Sequence, residues 1–319
     1  MVKASRLETV QDIVDLLGFD RRAFDSVCSR VDRCYRKREI RKPNKPDKSR
    51  VIYDPRGDLR LIQKALYRKL ILPRVTFSPY SHAVRGRSPL TSIREHVQHT
   101  FLYTADVADF FPGIHFSRVT RLFLELGCSN AVARCLTKLC TADFALPQGF
   151  ITSPVLADLV FRSADMRVGK LCESADASYT RFVDDLTVSA SFNLEESGLP
   201  QAIGQILRRH GFQRHRKKDH FGNLTKGASS LGLRVNRGHP DVTKAYYVET
   251  EHRIASLASL AIGGEFEGDF YTRTQMWGRV SYVLFINPRR RRTLVPLWRR
   301  LDWRAIMEQA KARGYVHDG

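Results

Sequence analysis

The pattern of apolar and polar residues along Tyr179–Ala190, YTRFVDDLTVSA, is the most informative in the chain. Residues that favour extended structure stand on both sides of two adjacent aspartates, and an Asp-Asp pair favours a tight turn. The pattern therefore predicts a β-hairpin with Asp184 and Asp185 at its tip. Two carboxylates at one tip repel each other unless a divalent cation or a cationic partner neutralises them. A fully solvated acidic tip is the alternative.

A second apolar run, Phe101–Val107, predicts a buried strand that carries Asp106 near its end. A carboxylate at a strand end, next to a hairpin with two more, is an arrangement that can hold two Mg²⁺ ions for phosphoryl transfer. This third carboxylate argues against the solvated tip. Asp109 follows the apolar run, and we interpret it as a residue that forms the turn.

Two helices flank this candidate site. Ser117–Leu126 has apolar residues at helical spacing, with Ser117 as the predicted cap and Gly127 as the predicted stop. In the segment 146–161, LPQGFITSPVLADLVF, the pair Ser153-Pro154 is a strong helix start. Gln148 precedes it on a loop, where its amide is free to hydrogen-bond a sugar or a base.

The remaining pattern predicts a largely helical chain around this centre. Residues 36–50 form a basic, proline-punctuated loop or hairpin, and a strand follows. Helices are predicted over Val2–Arg38, Asp58–Leu72, a segment starting near Ser88-Pro89, Leu194–His210, Glu251–Ile262, Tyr271–Phe285 and Leu294–Arg313. Aromatic residues at helical spacing are usually core, so Trp277 and Phe285 are expected to be buried.

The composition indicates which class of molecule the protein binds. The 319 residues carry a formal charge of +20, which indicates a polyanionic partner and most simply a nucleic acid. A ribosomal protein or a membrane-surface protein is the alternative. The six cysteines have no metal-ligand spacing, and no signal peptide or long apolar span is evident. We therefore expect reduced thiols in a cytoplasmic protein.

Three segments carry a resemblance to a known family. ADVADFF (105–111), LPQGFITSP (146–154) and FVDD (182–185), in this order and at these spacings, resemble motifs of the reverse transcriptases. The flanking residues resemble those of bacterial retron-type enzymes, although Phe182 replaces the usual tyrosine. HGFQRHRKKD (210–219) resembles the fourth palm motif, and LGLRVN (231–236) is similar to the retron valine-threonine-glycine region without its Val-Thr. The resemblance extends from about Tyr35 to about Pro288.

The resemblance implies roles for individual residues. It implies two Mg²⁺ ions at Asp106, Val107, Asp184 and Asp185, with the three aspartates catalytic. It implies that Arg50, Gln148 and Lys218 contact the incoming deoxynucleoside triphosphate, with Lys42 or Lys45 as a further cation. Phe111 lies five residues after Asp106 (111 − 106 = 5), where reverse transcriptases carry an aromatic ring beneath the sugar.

Other cations are candidates for contacts with nucleic acid. Arg85 and Arg87 precede a predicted helix N-terminus, a position that suits phosphate. The run Arg289, Arg290, Arg291 and Arg292 lies among aromatic residues in the C-terminal helices.

The resemblance implies an α/β (α+β) fold with the right-hand architecture of polymerases. Residues 1–100 would form N-terminal helices and fingers, and 101–245 a palm of antiparallel sheet and helices, with a fingers insert between its first two motifs. Residues 246–319 would form a helical thumb or C-terminal RNA-binding region.

The function implied is RNA-directed DNA polymerisation. The retron resemblance further implies a dedicated structured noncoding RNA that is copied in part into a short, covalently RNA-linked DNA. It also implies priming from a 2′-hydroxyl and anti-phage defence with an effector protein. The alternatives are another defence-associated or intron-derived reverse transcriptase, and a non-catalytic RNA-binding scaffold.

Overall fold

A computed structural model describes residues 7–42, 45–236 and 238–316, and the side chains of 42–48 and 236 lie outside this description. Helices and strands are interspersed along the described chain. The α-helices are α1 (Val10–Leu17), α2 (Arg21–Ser29), α3 (Gly57–Ala65), α4 (Pro89–Arg94), α5 (Phe116–Glu125), α6 (Asn130–Cys140), α7 (Ser153–Glu173), α8 (Leu199–Arg209), α9 (Lys244–Ala261), α10 (Arg273–Ile286), α11 (Arg291–Arg299) and α12 (Trp303–Ala312). The strands are β1 (Tyr35–Lys42), β2 (Lys45–Pro55), β3 (Phe101–Asp106), β4 (Ala177–Phe182), β5 (Asp185–Ala190), β6 (His220–Asn223), β7 (Ser229–Ser230), β8 (Leu233–Asn236) and β9 (His239–Val242).

The strands form three sheets. β1 and β2 form an antiparallel hairpin. For residues 36–50 the sequence had left a loop and a hairpin as alternatives, and the hairpin is the one observed. A four-stranded sheet has the order β4-β5-β3-β6, so the strand that ends in Asp106 lies next to the strand that begins with Asp185. β7, β8 and β9 form a third, antiparallel sheet.

The packing of the chain divides it into two compact units. The first contains the described residues up to Ser88, then Tyr103–Val188 and Asn193–His220. In it α1, α2, α3 and α6 pack together, and α7 packs on β4, α5 and α8. The second contains Pro89–Leu102, Ser189–Phe192 and the described residues from Phe221 onward. Its core joins α4 to β8, β9 and the C-terminal helices. The division into fingers, palm and thumb stays a prediction.

Several predicted boundaries were wrong for local reasons. The cap of α5 is His115, whose ring nitrogen accepts from the Ser117 backbone N–H, so Ser117 itself lies inside the helix. The predicted helix 58–72 changes at Leu66 into a wider π-turn and then a 3₁₀ turn. Leu301 and Asp302 break the predicted helix 294–313, because Asp302 caps a new helix, α12.

Residues 7–38 also depart from the helix predicted over Val2–Arg38, of which residues 2–6 lie outside the described part of the chain. Gly18 adopts a left-handed conformation and ends α1, and Asp20 caps α2. Tyr35 then begins a strand rather than continuing the helix. Among the helices of the described residues, none combines the length and the apolar character that a membrane span requires.

Candidate active site

The hairpin predicted from Tyr179–Ala190 is confirmed, with Val183 and Asp184 in the turn between β4 and β5. Val183 has a φ of 58°, in the left-handed region that β-branched residues rarely adopt. Two hydrogen bonds hold the turn: the Arg181 guanidinium donates to the Val183 carbonyl at 2.8 Å, and the Val107 N–H donates to the Asp184 carbonyl at 2.9 Å. The tip is therefore fixed against the end of the strand that carries Asp106.

The Asp185 carboxyl is affected electrostatically by the other two carboxylates. Asp185 is exposed as a residue, yet the pKa of its carboxyl is raised to about 6. Loss of hydration among the surrounding atoms is the largest cause, followed by repulsion from Asp184 and Asp106, while Lys218 opposes the shift. Asp106 and Asp184 are thus close enough to penalise a third negative charge, which is the condition that attracts a cation.

Lys218 supplies the cation nearest to Asp106. Its Nζ lies 2.6 Å from the Asp106 Oδ2, in an ion pair that remains partly open to solvent. The backbone explains this position, since the His215 N–H donates to the Asp106 carbonyl at 2.7 Å. The segment 213–218 therefore runs beside the end of β3. As a result Lys218, which was predicted to contact the triphosphate, pairs with Asp106, which was predicted to be catalytic.

Behind the hairpin lies a buried ion network that the sequence did not lead us to predict. The Arg181 side chain is 1% exposed and reaches Asp158 at 2.6 Å and Asp165 at 2.7 Å, both on α7. Tyr179 donates a hydrogen bond to Asp165 at 2.8 Å. A buried guanidinium is tolerated only when it is paired and hydrogen-bonded, and here the pairing joins α7 to the strand that leads into the Val183–Asp184 turn.

The segment 78–82 completes this support. Its backbone runs parallel to β4, with the Arg181 N–H donating to the Tyr80 carbonyl at 2.8 Å and the His82 N–H to the Arg181 carbonyl at 2.7 Å. Ser81 donates to Asp158 from the same segment. A signal for this network exists in the sequence: Asp158 and Asp165 are seven residues apart, on the same helical face as apolar Phe161. Carboxylates on a core face require a buried cation.

The two adjacent phenylalanines of the predicted turn have different environments. Phe110 is 4% exposed and packs against Phe161 and Phe212, with ring centroids 5.6 and 6.1 Å away. Phe111 is half-buried and meets Phe110 edge to face at 5.3 Å. Its position agrees with a ring that can contact a ligand, and its role in sugar selection stays a prediction.

The loop that precedes α7 is held against the β1–β2 hairpin. The Tyr53 N–H donates to the Gln148 carbonyl at 2.7 Å. Gly149 has a φ of 108°, and a Cβ there would lie 2.4 Å from the Tyr53 carbonyl oxygen, so only glycine fits this approach. The Gln148 side chain is half-buried. Arg50 is exposed on β2, while the side chains of Lys42 and Lys45 lie outside the described residues.

The predicted nucleic-acid contacts near the α4 N-terminus differ from each other. Arg85 and Arg87 are both exposed as residues, but the Arg87 guanidinium also donates to the carbonyls of Ser78, Pro79 and Ser81 at 2.9, 2.7 and 2.6 Å. Arg87 therefore organises the segment that supports Arg181. Whether either arginine also contacts phosphate stays a prediction.

The arginine run of the second unit is divided in the same way. Arg289, Arg291 and Arg292 are exposed and line one cavity. Arg290 turns inward to the buried Asp241 at 2.7 Å, with its guanidinium over the Tyr247 ring. The expectation that Trp277 and Phe285 are buried was wrong: they are 43% and 58% exposed, because neither lies on the face of α10 that packs into the core.

The ligand atoms at the hairpin tip are of the type that binds a hard divalent cation. They are carboxylate oxygens, which Mg²⁺ prefers, and their mutual repulsion is what a dication would relieve. Within the described part of the chain, no three His, Cys, Asp or Glu side chains converge closely enough to hold a metal ion. The ammonium of Lys218 lies on the Oδ2 of Asp106, so a cation that used this oxygen would displace it.

Comparisons with known proteins identify the family of the chain. The family described as "Reverse transcriptase (RNA-dependent DNA polymerase)" matches residues 40–235, more than half of the chain. The retron Ec86 reverse transcriptase of Escherichia coli is 26% identical over 269 residues, covering 84% of this chain and 81% of that protein. The retron Se72 reverse transcriptase of Salmonella heidelberg (strain 579083-10) is 27% identical, covering 72% and 62%.

The structure of apo telomerase from Candida tropicalis aligns over 88% of this chain and 61% of its own, with a TM-score of 0.45 and 13% identity. The family match includes all three segments on which the predicted resemblance rested, and it confirms the predicted right-hand polymerase fold class and RNA-directed DNA polymerase activity. The chain belongs to the reverse transcriptase family, and over most of its length it is similar to retron reverse transcriptases.

Proposed function

We propose that this RNA-directed DNA polymerase copies part of a dedicated structured noncoding RNA into a short DNA that stays covalently attached to that RNA. The observation that carries the polymerase chemistry is the gathering of Asp106, Asp184 and Asp185 at one end of β3, with an electrostatic penalty on the third charge. The names of the retron relatives support the RNA-linked product. Priming from a 2′-hydroxyl belongs to the same proposal.

Asp106, Asp184 and Asp185, with Val107, would hold two Mg²⁺ ions. When bound, these ions supply charge neutralisation for the triphosphate and lower the pKa of the attacking hydroxyl. The protein's own contribution is positional, because the bonds to Val183 and Asp184 fix the tip before substrate arrives. Lys218 would leave Asp106 and place its ammonium near the substrate phosphates. Arg50, Phe111 and Gln148 would contact the deoxynucleotide.

The biological setting that we propose is anti-phage defence with an effector protein encoded nearby. It rests on the retron relatives. The six cysteines are free in the structure, which is in keeping with the reducing cytoplasm that we propose as its compartment.

The test is the nucleic acid that copurifies with the protein. DNA that shifts in a denaturing gel after RNase treatment, and that is missing from an Asp184→Asn preparation, is the expected result. DNA without attached RNA would contradict the retron product but leave the polymerase activity standing. RNA alone in both preparations, with no primer extension by the wild type, would favour the non-catalytic scaffold.

A further inference from the structure

A cavity of about 650 Å³ lies in the first unit between α5, α7 and the segment 74–76. We call it the arginine cavity, because four arginines line it against a single carboxylate, Glu125. The four are Arg74, Arg118, Arg121 and Arg162. The rest of its wall is mainly apolar, with Leu122, Leu159 and Met166 among the lining residues. Its volume is in the range of about 300–1,000 Å³ that ligand pockets occupy.

The arginine cavity and the catalytic hairpin use different faces of α7. Phe161 and Asp165 are buried and belong to the face that packs behind the hairpin. Leu159, Arg162 and Met166 recur at three- and four-residue spacing and line the cavity. The polymerase chemistry described above therefore uses none of the cavity's cations.

The charges around the cavity are not balanced by the protein. Among the described side chains, no carboxylate lies within 4.0 Å of any of the four guanidinium groups. Arg118 is half-buried, with its guanidinium 4.4 Å from the centre of the Phe212 ring. Burial lowers the pKa of Arg118, and repulsion from Arg121 lowers it further. Gathering cations in this way costs free energy unless an anion joins them.

Neighbouring polar groups point to the same need. The Nε of Arg74 is buried and has no hydrogen-bond partner within the described residues. His210, which accepts from Arg118 through its carbonyl at 3.1 Å, has a pKa lowered by burial and then by the cations Arg167 and Arg118. Arg167 therefore adds to the positive charge near the four lining arginines.

We propose that the arginine cavity binds one nucleotide of the RNA held by this enzyme, with phosphate on the arginines and the base or ribose on the apolar wall. Guanidinium groups suit phosphate because their N–H donors form paired hydrogen bonds to its oxygens. The apolar lining favours a nucleotide over a bare anion or an acidic peptide, since it offers contact area that carboxylates cannot use. The proposal rests on the proposed function for the identity of the RNA.

The experiment measures the binding of a fluorescein-labelled single-stranded oligouridylate by anisotropy across a salt series. Arg121→Gln/Arg162→Gln removes two exposed cations from the cavity. The matched control, Arg21→Gln/Arg304→Gln, removes two exposed cations from α2 and α12 with the same change in net charge. We expect the cavity variant to bind about tenfold more weakly at 0.1 M salt, and its slope of log affinity against log salt to fall by about one. The control should stay within about twofold of the wild type.

Two further arms decide the alternatives. Titration with ATP, followed by calorimetry, tests a free nucleotide as the source of the phosphate: binding that the cavity variant loses while RNA affinity stays unchanged would overturn the RNA assignment. Equal weakening of RNA binding by the cavity and control variants would overturn the site, because the effect would then follow net charge. Charge reversal, Arg162→Glu, should weaken RNA binding further than Arg162→Gln does.

Thermal unfolding of each variant verifies that the fold is intact, which is expected because Arg121 and Arg162 are exposed. Primer extension at saturating primer–template is measured on the same preparations. Its failure in the wild type would refute the polymerase function. An unchanged RNA affinity in the cavity variant, with normal extension, would refute the cavity proposal alone.

Discussion

The base and the tip of the β4–β5 hairpin both carry charged side chains, and the two groups of charges lie in different environments. At the base, Arg181 is almost fully buried and is paired with Asp158 and Asp165. At the tip, Asp184 and Asp185 face Asp106 across a site that water can reach, with Lys218 as the nearby cation. Buried charges stabilise only when they are paired, whereas an excess of one sign near solvent attracts a ligand of the other.

The arginine run of the second unit follows the same division. Arg290 is drawn inward by Asp241, which is fully buried, and Arg289, Arg291 and Arg292 remain exposed. In both units a paired, inward charge holds the backbone on which more exposed charges are displayed. Variants that separate the two kinds of charge therefore test the assignment of support and of function.

The largest expected effect comes from the tip. Asp184→Asn should reduce primer extension by roughly a thousandfold, ~4 kcal/mol in the barrier, because one metal-binding charge is lost. Its free energy of unfolding should not fall, since the change also removes a repulsion. Asp109→Asn is a matched control: Asp109 is exposed in the same region with a φ of 48°, a conformation that asparagine accepts. Normal extension by Asp184→Asn would exclude the metal assignment.

The base of the hairpin should give the opposite profile. Arg181→Met leaves two buried carboxylates without their cation and should lower the free energy of unfolding by about 3–5 kcal/mol, measured by denaturant titration. In the variant, burial without a cation should raise the pKa of these carboxyls, so the loss should grow as the pH rises from the ordinary carboxyl range to that raised pKa and then level off. A loss that is independent of pH would argue against the network.

A rescue variant separates stability from positioning. Arg181→Met/Asp158→Asn/Asp165→Asn removes the uncompensated charges and should recover much of the lost stability. It does not restore the hydrogen bond to the Val183 carbonyl, so the turn that carries Asp184 should stay loose. We therefore expect recovered folding with a higher Mg²⁺ concentration for half-maximal activity. Full recovery of the metal dependence would show that Arg181 acts only on stability.

Sequence reasoning located the hairpin and its strand because local chemistry determines them. The Asp-Asp pair favours a turn, although Asp185 itself begins β5, and the apolar runs on either side favour buried strands. These local preferences predicted the hairpin and the strand that carries Asp106. Sequence reasoning missed Arg181, although Asp158 and Asp165 on a core face required a buried cation. A partner that is distant along the chain is not specified by periodicity, and Arg181 meets α7 only after the sheet has formed.

The helix ends show the same limit. Ser117 was predicted as a cap from its residue type, yet His115 takes that role because a bridge between His115 and Ala145 fixes the preceding backbone. Similarly, Trp277 and Phe285 were expected in the core from their spacing, and the core is instead filled by Met276, Val280 and Val283. Both faces of that helix are rich in apolar residues, so periodicity could not choose between them.

The two adjacent phenylalanines also differ in their expected roles: Phe110 supports the fold, and Phe111 contacts the substrate. Phe111→Ala should improve the use of ribonucleotides relative to deoxynucleotides by about a hundredfold, because a ring beneath the sugar excludes a 2′-hydroxyl by overlap. Phe110→Leu should leave selectivity unchanged and reduce stability by about 1–2 kcal/mol, since Phe110 is packed between other rings. The measurement is single-nucleotide incorporation with matched substrates. A folded, active Phe111→Ala enzyme with unchanged selectivity would remove Phe111 as the gate.

The smallest effect is expected in the arginine run, where one variant set should change RNA binding and a single variant should change stability. Replacing Arg289, Arg291 and Arg292 with glutamine should weaken binding of a single-stranded RNA several-fold and reduce the salt slope by about two, since each exposed cation releases counterions. Arg290→Gln should instead cost about 1–3 kcal/mol of stability, because Asp241 is fully buried and its second cation, Arg234, lies 3.7 Å away. The salt slope of Arg290→Gln should stay close to that of the wild type. Arg290→Gln could instead flatten the salt slope as much as the replacement of an exposed arginine does. In that case Arg290 would exchange Asp241 for phosphate when RNA binds, and the separation between supporting and displayed charges would not hold in the second unit.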